Sequence, residues 1–148
     1  KLILKAQAQA DTRFHIDLRC RDIMSKDVLC LYEDEDIQVA VEKFKQVNLM
    51  SLPVLNRAEQ VCGTLALYEV VEWFQKATDL RTSWQDQVKH IMKRQVVTVQ
   101  PDQELQDLIP YFVERSFNYI PVVENKALVG IISRADMIAA LYRLLQHR

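Results

Sequence analysis

The residues with the clearest chemistry lie near the carboxyl end of the chain, in the run Ser133-Arg134-Ala135-Asp136. Here a hydroxyl, a guanidinium and a carboxylate follow an apolar run of strand length and precede apolar residues at helical spacing. Ser133 therefore stands at a predicted helix N-cap, with Asp136 three residues further on. Unpaired backbone N–H groups and the helix dipole favour an anion at such a position. The run predicts either a ligand site or a plain capping box that requires no ligand.

The segments that position this run occur twice in the chain. Ile23 and Ile91 are 68 residues apart, and the same offset relates several further pairs. After one residue is lost in a hairpin turn, Gly63 and Gly130 are 67 residues apart. An offset held over so many positions indicates a duplicated segment of about 55 residues. The further pairs include Val28–Leu31 with Val96–Val99, Asp34 with Asp102, Phe44 with Phe112, Leu52-Pro53-Val54 with Ile120-Pro121-Val122, and Glu69 with Asp136.

Each repeat has the hydrophobic pattern of a β-α-β-β-α segment. One repeat is too small to bury its sheet alone, so we expect a mixed α/β (α+β) fold in which two pseudo-symmetric repeats pack through their sheets. We divide the chain into a linker or helical arm at 1–19, a first repeat at 20–75, and a second repeat with its leading linker at 76–148. Pro110 lies inside a predicted helix and should kink or split it. The predicted elements are a helix over Leu2–Leu18, strands at Val28–Leu31, Leu52–Leu55, Val61–Leu65, Val96–Val99, Ile120–Val123 and Leu128–Ile132, helices from Glu35 and Asp102, and closing helices at Tyr68–Phe74 and Arg134–Leu145.

Composition limits the classes of function. The chain has 148 residues, a hydrophobic fraction of 49% and a formal net charge of −1. These values are typical of a soluble globular domain and provide no electrostatic footprint for nucleic acid. No apolar run approaches the roughly 18 residues of a spanning helix. The chain begins at Lys1, so we expect it to be a piece of a longer protein.

Catalytic and metal sites are not expected. Cys20, Cys30 and Cys62 are an odd number without paired spacing, which predicts neither a disulfide framework nor a zinc site and fits a reducing cytoplasm. The sequence has no nucleophile elbow, P-loop or paired-carboxylate motif. We therefore expect the chain not to be an enzyme.

The ordered set of motifs resembles a CBS-domain pair, also called a Bateman module. The resemblance depends on Ile-Met before each first strand, hydrophobic-Pro-Val in each central strand, and Gly-Ile-Ile-Ser-Arg-Ala-Asp before the last helix. It implies a regulatory module that binds an adenine nucleotide (AMP, ADP or ATP) or an S-adenosyl compound, forms a homodimer, and controls an attached or partner effector such as a transporter or enzyme. The arm before Asp22 resembles the segment preceding CBS pairs in HPP-type integral membrane proteins. The resemblance thus implies a cytoplasmic location, including the cytoplasmic part of a membrane protein.

The resemblance assigns the competent ligand site to the second repeat. Ser133, Arg134 and Asp136 match the family's hydroxyl-x-x-Asp motif, in which the carboxylate accepts hydrogen bonds from both ribose hydroxyls. Arg134 and the helix N-terminus would hold a phosphate. An apolar wall before the central proline would cover the adenine. The remaining implied residues are Val97, Thr98, Asn118, Tyr119, Ile120 and Pro121.

The equivalent site in the first repeat is predicted to be weaker. Ala66 stands where Ser133 does, so the hydroxyl is missing, and Glu69 replaces Asp136 with a longer acid. The guanidinium is missing as well, which removes support for phosphate binding. The residues expected to line this weaker site, or simply to serve as core and strand-entry residues, are Met50, Ser51 and Leu52.

Two other functions stay open. One is a ligand-free module that dimerises its parent protein, because the apolar spacing on the closing helices fits either core or a dimer surface. The other is a nucleic-acid-binding CBS pair, which the near-neutral charge disfavours. Stability gained from an added nucleotide would separate a ligand sensor from the first, and salt-dependent binding to RNA or DNA would favour the second.

Overall fold

The structure, a computed structural model, describes residues 2–3, 16–79 and 83–146. None of the helices within these ranges has the length and hydropathy of a membrane-spanning segment. In chain order the elements are β1 (Leu2–Ile3), α1 (Cys20–Ile23), β2 (Leu31–Tyr32), α2 (Ile37–Gln46), β3 (Ser51–Leu55), β4 (Val61–Ala66), α3 (Leu67–Lys76), a 3-10 turn (Val88–His90), β5 (Val97–Thr98), a 3-10 helix (Leu105–Leu108), α4 (Ile109–Val113), β6 (Tyr119–Glu124), β7 (Ala127–Ser133) and α5 (Arg134–Gln146).

The chain forms two compact units. The first unit contains the described parts of residues 29–96, and the second contains the described parts of 2–28 and 97–148. The predicted mixed α/β fold with a duplicated organisation is confirmed, because each unit contains a small sheet with helices packed on it. The packing of one sheet against the other stays a prediction.

The first unit has a three-stranded sheet in the order β2-β3-β4. Strand β2 runs parallel to β3, and β3 runs antiparallel to β4. Alternate residues of β4 are buried, and Leu65 is fully buried together with Leu52 and Val54 of β3. Phe44 of α2 and Trp73 of α3 belong to the same cluster. This unit therefore buries one face of its sheet under two amphipathic helices.

The second unit is built on the hairpin β6-β7. Its turn contains Asn125 and Lys126, both with positive φ (51° and 69°), as a two-residue hairpin loop requires. On the other side of β6, Val99 pairs in parallel with Val122. The core of this unit contains the apolar residues Val99, Leu105, Leu108, Phe112, Ile120, Val122, Ile132 and Met137.

Pro110 splits the helical segment of the second repeat. A 3-10 helix over Leu105–Leu108 is followed by α4, which carries the proline in its first turn. Proline is tolerated there because the first helical N–H groups have no partner within the helix. The predicted interruption is thus confirmed, and the helix expected from Asp102 begins later than the sequence pattern indicates.

The segment that leads into each repeat packs in the unit built mainly from the other repeat. In the second unit, the backbone of Ser25 exchanges two hydrogen bonds with Ile131, both 2.9 Å; in the first unit, Lys93 and Thr64 do the same, also at 2.9 Å. Ser25 and Lys93 are equivalent in the two repeats. The boundaries of the sequence repeats therefore differ from those of the compact units. The repeats begin at residues 20 and 76, whereas the units are divided after residues 28 and 96.

The two glycines of the chain lie at these crossings. A β-carbon on Gly63 would lie 2.7 Å from the carbonyl oxygen of Lys93, and one on Gly130 would lie 3.0 Å from the carbonyl oxygen of Ser25. Neither glycine has a positive φ. Glycine is thus required at these positions by close backbone approach and not by backbone conformation.

The described part of the amino-terminal arm differs from the helix that its composition predicts over Leu2–Leu18. Leu2–Ile3 is a short strand parallel to β5, with Leu2 opposite Val97. Residues 16–18 are not helical, Ile16 is buried in the second unit's core, and residues 4–15 lie outside the described ranges. An isolated, weakly amphipathic helix is marginally stable in water, and an unpaired strand edge provides alternative backbone partners.

Candidate functional site

The predicted capping box is present at the start of α5. The backbone N–H of Ser133 donates to Asp136 Oδ2 (2.8 Å), and the Ser133 hydroxyl donates to the same oxygen (3.0 Å). In return, the backbone N–H of Asp136 donates to Ser133 Oγ (3.2 Å). Both side chains are half-buried. The local structure that the motif favours therefore forms without a ligand.

A third residue, Ser25, completes the partners of Asp136. Its hydroxyl donates to Oδ1 at 3.1 Å, across 111 residues of sequence. The sequence motif did not identify this residue. The 68-residue offset pairs Ser25 with Lys93 and was the one sequence signal that involves Ser25. That offset does not show that the segment leading into one repeat packs on the strands of the other. Ser25 thus belongs to the candidate site.

Arg134 is anchored beside the same helix terminus. Its Nε donates to the carbonyl of Phe117 (2.9 Å), and its backbone N–H donates to the carbonyl of Asn118 (3.2 Å). The side chain is exposed, and the two terminal NH2 groups of the guanidinium form no hydrogen bond with the residues that the structure describes. The arrangement orients a cation that is available for an anionic group.

Strand register decides which predicted residues share a face. Tyr119 pairs with Ser133 and Pro121 with Ile131 across the hairpin, while the pairing of Val99 with Val122 places Thr98 beside Pro121. Because side chains alternate across a strand, the residues that share one face of this sheet are Thr98, Tyr119, Pro121, Ile131 and Ser133.

Val97 and Ile120 belong to the opposite, core-facing side. Ile120 is fully buried in the core cluster, and Val97 packs against that cluster. Asn118 precedes β6 and is exposed. Of the residues predicted to form a wall over an adenine, Tyr119 is therefore on the same face as Ser133, whereas the Ile120 side chain fills the core.

Thr98 has an unusual environment. Its side chain is 1% exposed, and its Oγ1 has no hydrogen-bond partner within the described part of the chain. Leaving a buried hydroxyl unpaired costs about 1–3 kcal/mol, so nearly all buried polar groups in proteins are paired. Thr98 therefore has an unsatisfied buried hydroxyl on the face that it shares with Ser133.

The equivalent place in the first unit has a related backbone and different side chains. Glu69 Oε1 accepts a hydrogen bond from the backbone N–H of Ala66 (2.7 Å), the counterpart of the Ser133 contact. Lys93, at the position equivalent to Ser25, places its ammonium 5.1 Å from the centre of the Tyr68 ring. Contact with Tyr68 raises the pKa of Lys93, and the charge of Glu69 adds to this effect.

The residues predicted to line this weaker site are separated by the strand. Leu52 is fully buried in the core, Met50 is 58% exposed, and Ser51 pairs with Ala66 on the face opposite the core. Of the three, Ser51 alone has a position comparable to that of Tyr119 in the second unit. The carbonyl of Met50 accepts a hydrogen bond from the backbone N–H of Leu67 (2.8 Å).

A groove of about 440 Å³ lies elsewhere in the first unit, along α2 and α3. Aliphatic and aromatic side chains line it, among them Phe44, Val71, Phe74 and both tryptophans, Trp73 and Trp84. The tryptophan rings lie 5.4 Å apart, and Trp73 Nε1 donates to Asp86 Oδ2 (3.0 Å). The groove has no polar cluster that would orient a nucleotide, so it is separate in character from the predicted site.

Comparison with known families gives a match over most of the chain. A family model described as CBS domain matches residues 20–76 and 88–143. The protein MJ1426 of Methanocaldococcus jannaschii is 24% identical over 151 residues, a match covering 82% of this chain and 89% of that protein. MJ1225 of the same organism is 30% identical over 82% of this chain. The chain spans 42% of the length of MJ1225 and 28% of the length of the carnitine transport ATP-binding protein OpuCA of Listeria monocytogenes.

Solved structures show the same fold. AcuB of Vibrio cholerae superposes with a TM-score of 0.78 at 18% identity, covering 87% of this chain and 93% of that chain. CBSX2, solved in complex with AMP, superposes with a TM-score of 0.74 at 19% identity, covering 85% of this chain and 97% of that chain.

Proposed function

Because the chain belongs to the CBS domain family as a tandem pair, a regulatory module, we propose that it senses an adenosyl ligand through the second unit. The ligand would be AMP, ADP, ATP or an S-adenosyl compound. Its ribose hydroxyls would bind Asp136, and Arg134 with the N-terminus of α5 would hold the phosphate of a nucleotide. No catalytic role is proposed.

One observation carries this proposal: Thr98 Oγ1 is buried without a partner on the sheet face that also holds Ser133. A purely structural strand would gain stability from valine at that position, since valine has the same shape and no hydroxyl. The complex of CBSX2 with AMP supports the choice of ligand class. The exposed guanidinium of Arg134 supports an anionic group on that ligand.

A thermal unfolding series with AMP, ADP, ATP and S-adenosylmethionine tests the proposal. A ligand that binds the folded state stabilises it by RT ln(1 + [L]/Kd), about 2.7 kcal/mol at a concentration of 100 Kd. We expect at least one of the four to raise the melting temperature in a concentration-dependent way. Indifference to all four would contradict the proposal.

The ligand-free alternative has its own supporting observation. The Ser133–Asp136 capping box is complete without a ligand, so the motif has a sufficient structural reason to be present. A module of this kind would serve only to associate copies of its parent protein. The thermal series separates the two functions, since a ligand-free module gains no stability from nucleotide.

We further propose that a second copy of the chain covers the exposed apolar residues of the closing helices. On α5, Ile138, Tyr142 and Leu145 are spaced to form one stripe and are 65%, 61% and 56% exposed. On α3, Val71 and Phe74 are 61% and 54% exposed. Apolar stripes of this kind on a small protein are typical of interaction surfaces, and association of like chains is the commonest way to cover them.

The proposed output is control of an attached or partner effector, a transporter or an enzyme, in the cytoplasm or as the cytoplasmic part of a membrane protein. The carnitine and choline transport ATP-binding proteins OpuCA and OpuBA support this proposal, because this chain matches 28% and 31% of their lengths. A regulatory pair changes the activity of its effector only if ligand binds two conformations unequally. Effector activity measured with and without nucleotide on the intact parent protein tests this step.

A further inference from the structure

We propose that Ser25 competes with the ligand for Asp136, so that ligand binding releases the Ser25 side chain and loosens the segment that leads into the first repeat. This inference rests on the proposed function and adds a route by which occupancy is transmitted.

The carboxylate of Asp136 has room for fewer donors than the ligand-bound site would present. Its two oxygens offer about four acceptor positions. Three are used by protein donors: the backbone N–H and hydroxyl of Ser133 on Oδ2, and the Ser25 hydroxyl on Oδ1. Two vicinal ribose hydroxyls would bring the number of donors to five. One protein donor must therefore leave when both ribose hydroxyls bind.

Ser25 is the donor that can leave at least cost. The two Ser133 contacts belong to the helix cap and are fixed by the backbone of α5. The Ser25 contact is the longest of the three, at 3.1 Å, and is made by a side chain from a remote segment. Rotation of one side-chain torsion to another staggered position breaks it without moving the backbone.

Loss of this contact affects the end of a segment that is otherwise held by backbone hydrogen bonds and by the fully buried side chain of Cys20. Ser25 follows α1, a single helical turn. Backbone hydrogen bonds of 2.9 Å hold Ser25 to Ile131 and Cys20 to Gln103. The Ser25–Asp136 contact adds a hydrogen bond to a charged carboxylate, and such bonds contribute more than neutral ones. Because coupling is reciprocal, docking of this segment and affinity for the ligand oppose each other.

The first unit lacks the same arrangement. Lys93 occupies the position equivalent to Ser25, but its ammonium lies over the Tyr68 ring. The hydrogen bond that Glu69 accepts comes from the backbone of its own helix terminus. Occupancy would therefore be reported to a leading segment by the second unit alone.

Calorimetric titration with AMP, combined with hydrogen exchange of residues 20–25, tests the inference. We expect Ser25→Ala to bind AMP about tenfold more tightly than the wild type, because no hydrogen bond must be broken. Ser25→Thr, which keeps the hydroxyl, should restore wild-type affinity, and Ser83→Ala in the first unit serves as a matched serine control. AMP should speed exchange at residues 20–25 in the wild type and leave the already fast exchange of Ser25→Ala unchanged.

The outcomes separate this inference from the proposed function. If the wild type binds AMP and Ser25→Ala binds equally or more weakly, competition at Asp136 is wrong and the ligand site stands. If neither protein binds AMP, ADP, ATP or S-adenosylmethionine, both proposals fail. A folded Ser25→Ala protein is confirmed by its urea unfolding curve before titration.

Discussion

Thr98 and Ser133 lie on the same face of the second unit's sheet, on strands that flank β6 on either side. One hydroxyl is buried without a partner, and the other caps α5 and binds Asp136. This relationship joins the first strand of the repeat to the start of its last helix. The candidate site therefore includes a residue of β5 in addition to the four-residue run that the sequence motif identifies.

The helix cap of the second unit should be worth about 1 kcal/mol. Ser133→Ala removes the hydroxyl that donates to Asp136 and accepts from its backbone, and substitution at an N-cap typically costs about 0.5–2 kcal/mol. Ala66→Ser provides the matched test, because Ala66 has the extended backbone of an N-cap and lacks the hydroxyl. We expect it to stabilise the protein. Urea unfolding measures both changes, and a neutral Ser133→Ala would contradict the role given to the cap.

The crossing glycines should respond unequally to alanine. In Gly63→Ala the new β-carbon would lie 2.7 Å from a backbone oxygen, which cannot move easily, so we expect a cost of about 1–3 kcal/mol. In Gly130→Ala the new β-carbon would lie 2.9 Å from the sulfur of the flexible Met24 side chain and 3.0 Å from the backbone oxygen of Ser25, so the cost should be smaller. Denaturant midpoints of the two variants provide the comparison. Equal losses, or a larger loss for Gly130→Ala, would contradict the closer backbone approach at Gly63.

Much of this fold follows from sequence reasoning, because the repeat offset and the alternation of apolar residues fix the type and order of the elements. The hairpin at Asn125 and Lys126 and the break at Pro110 are examples in which local chemistry decides local structure. The exchange of leading segments does not follow from the same pattern. An offset shows that Ser25 and Lys93 are alike, but it does not show which copy of the strand each one packs on.

The candidate site was predicted in part for a related reason. The motif identifies Ser133 and Asp136 because they are close in sequence, whereas Ser25 reaches the same carboxylate through tertiary packing. The register of the hairpin places Tyr119, and not Ile120, on the face of Ser133. A register shifted by one residue would place Ile120 there instead. The hydrophobic pattern of 119–123, which is apolar on both faces, gives no signal for choosing between them.

The proposed homodimer should depend on the apolar stripe of α5. Ile138→Glu places a charge in the stripe and should shift the protein toward monomer, with little change in unfolding free energy because Ile138 is 65% exposed. Ala139→Glu adds the same charge on an exposed neighbour outside the stripe and should leave association unchanged. Sedimentation equilibrium over a range of concentrations measures both. A wild-type protein that stays monomeric over the whole concentration range would contradict the dimer.

The buried thiol of Cys20 should make stability depend on pH in the alkaline range. Burial, with a smaller contribution from the charge of Asp107, raises the pKa of Cys20 from 9.0 to about 12. The unfolded state therefore ionises at lower pH than the folded state. The stabilisation is complete below pH 9 and is lost as pH rises from there towards 12.

Two measurements check this pH dependence. The unfolding free energy of the wild type, compared with that of Cys20→Ala, should decrease between pH 8 and pH 10. In the folded protein, N-ethylmaleimide should label the half-buried Cys30 and Cys62 before Cys20, and unfolding in urea should remove the difference. Rapid labelling of Cys20 in the folded state would contradict its burial.

Calorimetric titration of AMP into the wild type, Thr98→Val and Asp136→Asn tests the central claim most directly. We expect the wild type to bind AMP and both variants to bind it at least about tenfold more weakly. Without ligand, Thr98→Val should be at least as stable as the wild type, because it removes an unpaired buried hydroxyl. AMP binding that is unchanged in both variants would contradict the claim that Thr98 and Asp136 form one ligand site.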